Sequence, residues 1–185
     1  SYTPYMSKIA SDISLMGVSY YNRVNERSAV GASLRYFTLG EINLTDNQGQ
    51  FRGVEKPNEF SVDVSYTIKF SDNFGLAVAG RYISSNLKLK GDGETSASTF
   101  GVDVAGYYES DRIQMSNSEG RLRAGFNFQN MGPKINYTGD AQRSSNIPTT
   151  LRLGLGYDFI LDNYNTVTVY GEATKLMVPS NLQPT

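Results

Sequence analysis

The chain has 185 residues, enough for one domain with a sizeable core. Its 17 Lys and Arg stand against 18 Asp and Glu, a net charge of −1 that leaves no basic footprint for nucleic acid. Cysteine and histidine are both absent, which removes disulfides, thiol nucleophiles, Cys/His zinc sites and imidazole bases together.

Residues 1–11 read as the end of one strand and a loop. Asp12 to Arg23 reads as a strand whose apolar face the pattern leaves open, and Val24 to Arg27 as a turn. Ser28 to about Thr45 reads as one long strand, with Val30, Ala32, Leu34 and Tyr36 on one face and Gly31, Ser33 and Arg35 on the other. Asp46 to Asn58, rich in Asn, Gln and Gly, reads as a loop. Glu59 to Phe70 is the clearest stretch. Phe60, Val62, Val64, Tyr66, Ile68 and Phe70 alternate without a break with Glu59, Ser61, Asp63, Ser65, Thr67 and Lys69. Ser71-Asp72-Asn73 is a turn, and a second arm alternates from Phe74 to about Lys90, where Gly91 to Thr95 turns again.

Ser98 to Glu109 sets Phe100, Val102, Val104, Gly106 and Tyr108 against Gly101, Asp103, Ala105 and Tyr107. Ser110 to Gly120 is a polar connection. Arg121 to about Gln129 follows, with Leu122, Ala124, Phe126 and Phe128 on one face and Arg123, Gly125 and Asn127 on the other. Asn130-Met131-Gly132-Pro133 interrupts that strand before Lys134 to Thr138 resumes it, and Gly139 to Pro148 is a loop. Thr149 to Leu161 opposes Leu151, Leu153, Leu155, Tyr157, Phe159 and Leu161 to Arg152, Gly154, Gly156, Asp158 and Ile160. Asp162 to Asn165 turns, and Thr166 to about Met177 is the last strand.

This is an all-β pattern of eight strands with no helix signal. Most strands run to 12 or more residues, whereas soluble strands centre on about 5–6 and a strand tilted across a bilayer needs about 9–11. Short connections at 24–27, 71–73 and 162–165 alternate with mostly longer ones at 46–58, 91–97 and 139–148. Only 110–120 is longer than that alternation wants. Short turns at one rim and long loops at the other are the arrangement of a transmembrane antiparallel β-barrel. The alternative is a soluble β-sandwich, which also alternates but turns its apolar face inward. Strand length, loop asymmetry and a polar face built of small residues with sparse charges point to the barrel. Neither end reads as a natural terminus, so residues 1–185 are expected to be an internal piece of a longer protein.

The register is testable. If Phe70 faces Phe74, Asp63 falls opposite Arg81, where opposite charges support one another. Arg35 and Asp103 sit at similar heights on the flanking strands, so Arg35, Asp63, Arg81 and Asp103 are a candidate charge ladder facing the lumen. It reads either as a selectivity or substrate-contact feature or as an ion-pair network that fills the barrel. Tyr20, Tyr21, Phe37, Phe60, Phe70, Phe74, Tyr108 and Phe159 lie near strand ends, where bilayer interfaces favour aromatic rings. Asn130, Gly132 and Pro133 mark a candidate kink in a wall strand, either a lateral opening from lumen to membrane or a bulge that shapes the rim. No catalytic or metal site is expected. Asp72, Asp92 and Asp162 belong to turns, Gly154-Leu155-Gly156 lies within a strand rather than before a helix, and Asp92-Gly93-Glu94 is too short for a calcium loop.

Segments spread in order along the chain resemble the PorV family, outer-membrane proteins of the type IX secretion system of Bacteroidetes within the FadL-like barrels. They are SYTPY at 1–5, SDISLMGVSYY at 11–21, AVGASLRYFTLGEINLTD at 29–46, EFSVDVSYTIKFSDNFGLAVAGRYISSNL at 59–87, FGVDVAGYY at 100–108, LRAGFNFQNMGPKINY at 122–137, IPTTLRLGLGYDF at 147–159 and KLMVPSN at 175–181. The resemblance implies a single fourteen-stranded outer-membrane β-barrel domain of which residues 1–185 are the central part, with the N-terminal plug region, an early strand and the last several strands outside this chain. It implies a secretion component without cofactor or enzymatic activity. Its expected partners are membrane lipid, the translocon barrel SprA (Sov) at its lateral opening, the C-terminal signal domain of secreted cargo, and the attachment complex with the peptidase PorU. No contact residue transfers from the resemblance. Loops 46–58, 91–97 and 139–148 are favoured for partner binding because loops on a rigid scaffold carry recognition. The runner-up is a FadL-type transporter of hydrophobic small molecules.

Overall fold

The computed structural model describes residues 1–4, 13–46, 48–86, 96–115, 119–137 and 144–177. In chain order its strands are β1 (Tyr2–Pro4), β2 (Ser14–Arg23), β3 (Ser28–Thr38), β4 (Ile42–Thr45), β5 (Phe51–Glu55), β6 (Asn58–Lys69) and β7 (Phe74–Asn86). They continue with β8 (Ala97–Glu109), β9 (Ile113–Gln114), β10 (Glu119–Met131), β11 (Ile135–Asn136), β12 (Ser144–Ser145), β13 (Thr150–Ile160) and β14 (Thr166–Leu176). Eight of them, β2, β3, β6, β7, β8, β10, β13 and β14, run 10–13 residues. One antiparallel sheet carries all eight in the order β1-β2-β3-β6-β7-β8-β10-β13-β14, with β9 paired beside β10. The fold is all-β, and its long strands are those the alternation predicts.

The short connections hold register through side-chain acceptors. Ser71 Oγ accepts from the backbone N–H of Phe74 (3.0 Å) between β6 and β7. Asp162 Oδ1 accepts from Tyr164 and Asn165 (2.7 and 2.8 Å) between β13 and β14. Asn25 Oδ1 accepts from Arg27 (2.9 Å) between β2 and β3. Such local bonds are why Ser, Asp and Asn fill these turns. The 70–74 turn sets Val62 against Tyr82, Asp63 against Arg81 and Ile68 against Leu76.

The two faces reverse the usual order of burial. Val62, Val64, Tyr66, Val78, Phe100, Val102, Leu153, Leu155, Val167 and Val169 are exposed on one face. Asp63 (7% exposed), Asp158 (3%), Ser85 and Thr99 are buried on the other. A soluble sheet burying its apolar face would do the opposite. Aromatic rings close the ends of the apolar face. Phe60, Tyr82 and Phe100 lie with ring centroids 6.0 and 5.3 Å apart at one end, and Phe70 and Phe74 lie 6.2 Å apart at the other. The ten steps from Phe60 to Phe70 make about 33 Å of strand. Tilted by about 45° they span roughly 23 Å, close to the ~25 Å apolar band of an outer-membrane barrel. Two of the aromatics expected in the girdle are on the other face. Tyr21 lies opposite Gly31, and Phe37 shares the parity of Arg35 and lines a lumen hollow with Leu15 and Ile83.

Three connections differ from the sequence reading. The strand begun at Ser28 stops at Thr38, not Thr45, because Gly40 takes a left-handed φ of 75° and redirects the chain. Residues 46–58 are not simply a loop: β5 turns back on β4 as a separate two-stranded sheet. Of the expected continuation at Lys134 to Thr138, the described residues 134–137 do not resume the wall. Ile135–Asn136 instead pairs with Ser144–Ser145 in a second small sheet at the long-loop rim. Residues 87–95, which hold the expected end of the second arm and the turn after it, and residues 138–143 fall outside the described residues.

Candidate functional site

Arg35, Asp63, Arg81 and Asp103 occupy lumen-facing positions on four neighbouring strands, and the structure brings them into one network. Arg81 is its centre. Its Nε donates to Asp63 Oδ1, its Nη2 to Asp103 Oδ2 (2.8 Å), and its Nη1 to Asn130 Oδ1. Asp63 Oδ2 also accepts from Ser33 Oγ (3.1 Å) and, at longer range, from Arg35 Nη2 (3.4 Å). The two arginines have room because each lies opposite a glycine, Arg35 beside Gly17 and Arg81 beside Gly101. Burial differs sharply between them. The Arg81 and Asp63 side chains are each 10% exposed, whereas that of Arg35 is 51% exposed. Arg81 is a sequestered, fully engaged cation, and Arg35 keeps spare donors facing the lumen hollow. Removing one partner of a buried ion pair leaves an uncompensated charge and costs about 3–5 kcal/mol.

Asn130 joins this network to the rim. The β8–β10 register shifts between Phe128 and Met131, so Asn130 is the extra residue of a β-bulge. Its φ is 58°, a left-handed conformation that Asn tolerates better than most residues. Its N–H donates to Asp103 Oδ1 (2.7 Å). Gly132 then passes so close to the Phe100 carbonyl oxygen that a Cβ there would collide with it. Pro133 follows outside the ladder, and its carbonyl accepts from Thr99 Oγ1 (3.2 Å). The β8–β10 pairing resumes at Met131–Val102, so the wall is continuous across the bulge.

A second network on the same face was not read from the sequence. Arg123 Nη2 meets Asp158 Oδ2 at 2.7 Å, and Arg121 Nη1 meets Glu109 Oε1 at 2.7 Å. Arg123 Nε lies 3.6 Å from Glu109 Oε2, and Thr168 Oγ1 donates to Asp158 Oδ1 (2.8 Å). Arg123 and Asp158 were each assigned to a polar face. The connection at 110–120 hid the register that brings Glu109 to Arg123.

The β4–β5 hairpin stands at the long-loop rim. Leu39 N–H donates to the Pro57 carbonyl (3.1 Å), so the hairpin grows from the end of the β3–β6 pair, offset at Gly40. Asp46 organises its tip. Asp46 Oδ1 accepts from Gln50 N–H (2.8 Å) and Gln48 N–H (3.0 Å), and Arg52 Nη2 lies 3.1 Å from Asp46 Oδ2. The bond from Gln50 chiefly, with those from Gln48 and Arg52, holds the Asp46 carboxyl below its usual range. Phe51 stands 64% exposed on this hairpin, with Val54 also exposed. Among the described residues no group of three or more acidic, His or Cys side chains could hold a metal ion.

No curated protein matches the chain. The family model described as "Type IX secretion system protein PorV" matches residues 1–183, nearly the whole chain and all of the eight-stranded wall just described. The chain therefore belongs to the PorV family of type IX secretion system proteins.

Proposed function

We propose that this chain forms part of the wall of a FadL-like outer-membrane β-barrel and serves secretion as a docking protein rather than as an enzyme. In this reading it binds the translocon barrel SprA (Sov) at its lateral opening, receives the C-terminal signal domain of cargo, and delivers cargo to the attachment complex with PorU. The long-loop rim faces outward, since short turns are periplasmic and long loops extracellular in such barrels. One observation carries the docking role. A folded hairpin, β4–β5, rises from the β3–β6 pair at that rim and presents Phe51 to solvent. An exposed aromatic on a small rigid support is the kind of anchor that fills a pocket on a partner.

Purification of the intact protein from outer membranes in mild detergent tests this. Co-purification of a giant barrel or of signal-bearing cargo is expected, and recovery of neither overturns the proposal. A second reading has its own observation. Leu15, Phe37 and Ile83 line the lumen hollow beside the half-exposed Arg35, whose guanidinium makes one polar side-chain contact among the described residues, at 3.4 Å. Apolar walls beside a spare cation suit an amphiphilic anion, as a transporter of hydrophobic molecules would need. Fatty-acid uptake lost on Arg35→Gln would favour that reading.

A further inference from the structure

We infer that Asn130 is a latch, coupling the buried charge network of the lumen to the position of the rim segments 132–137 and 144–149. Neither the family match nor either reading of function bears on this coupling. The same residue is held from both sides, by its side-chain amide and by its backbone. On the lumen side Arg81 Nη1 donates to Asn130 Oδ1, and Asp103 Oδ1 accepts from the Asn130 N–H (2.7 Å). On the rim side Asn130 Nδ2 donates to the Pro148 carbonyl (3.2 Å), and the Asn130 carbonyl accepts from Thr149 Oγ1 (2.8 Å).

These contacts fold the rim inward. Ile147 is buried against the lumen faces of Gly101 and Gly132, and it joins Ala97 and Ile135 in a small apolar core with Tyr137 against it. A second tie lies further along, where Tyr137 Oη donates to Ser85 Oγ (3.0 Å) and Ser85 Oγ donates to Glu59 Oε1 (2.6 Å). The network and the rim therefore share one residue. A lumen anion that draws Arg81 aside releases Asn130, and a partner that pulls the rim outward releases Arg81. Coupling of this kind is reciprocal.

Hydrogen exchange of the intact protein in detergent reads the latch directly. Two variants break it from opposite sides. Arg81→Gln removes the lumen donor. Asn130→Gly removes the amide while keeping a residue that accepts a φ of 58°. Exchange in 144–149 is expected to rise roughly tenfold in both, the scale of losing one or two hydrogen bonds from a locally opening segment. Exchange in the β13–β14 ladder should stay unchanged. Arg123→Gln disrupts a network of similar make-up at the other end of the wall and should leave 144–149 as in wild type. If Arg81→Gln does not yield a folded barrel, Asn130→Gly alone decides. Unchanged exchange in 144–149 in a folded Arg81→Gln or Asn130→Gly variant, or an equal rise with Arg123→Gln, overturns the coupling.

Discussion

The two ends of this wall use the same side chains for different ends. At the short-turn rim Glu109, Arg121, Arg123 and Asp158 pair where the β8–β10 and β10–β13 registers run regularly. Nearer the long-loop rim Arg35, Asp63, Arg81 and Asp103 pair across the regular β3–β6, β6–β7 and β7–β8 ladders, but the next ladder, β8–β10, is broken by a bulge whose odd residue joins the network. The first arrangement fills the lumen beside rigid strands. The second binds the lumen to a folded rim. Charge alone does not distinguish them; the left-handed residue does.

Substitutions separate the two ends by size of effect. Arg81→Ala should cost most, about 3–5 kcal/mol of barrel stability, because Asp63 and Asp103 both lose a buried partner. Denaturant or thermal unfolding in detergent measures it. Gly132→Ala should cost about 1–3 kcal/mol, since the new methyl meets the Phe100 carbonyl, whereas Gly80→Ala, with open space around it, should be close to neutral. At the other end Asp158→Asn should cost about 1–2 kcal/mol, because Arg123 stays near Glu109 and Thr168 keeps an acceptor. Arg35→Gln should cost less than about 1 kcal/mol, as its side chain is half in solvent and its contact with Asp63 is long.

The smallest effect concerns pH. The Asp46 carboxyl is depressed below its ordinary value of 3.8. Its contribution to the β4–β5 hairpin is therefore present above that value and is lost as pH falls through the lower folded value. Exchange protection of Gln48 and Gln50 should hold from neutral pH down to about pH 4 and fade below it. Loss of protection well above that window would show that another group holds the tip.

What the sequence disclosed follows the physics of each part. The wall was legible because a strand with one face in lipid must alternate, and Val62 to Phe70 does so without a break. The Asp63–Arg81 pairing was legible because the 71–73 turn leaves one register. Arg123 with Glu109 was not, because the longer 110–118 connection leaves register free. The β4–β5 hairpin was hidden by its shortness and by Gly40, which ends β3 without ending the apolar pattern of Ile42 and Leu44. Pro133 did announce an interruption at Asn130. It could not tell that the chain beyond turns inward, because Ile135 and Ile147 meet only in the folded rim.

The proposed docking role places recognition at the long-loop rim rather than the short-turn rim, and both rims expose an aromatic residue that can be exchanged for a photo-crosslinking amino acid. Phe51 stands on the β4–β5 hairpin, and Tyr164, 95% exposed, stands in the β13–β14 turn. Irradiation of secreting cells is the most direct measurement. A crosslinker at position 51 should capture a large secretion barrel or signal-bearing cargo, and one at position 164 should capture neither. Equal capture from both positions, or capture from 164 alone, would contradict the account.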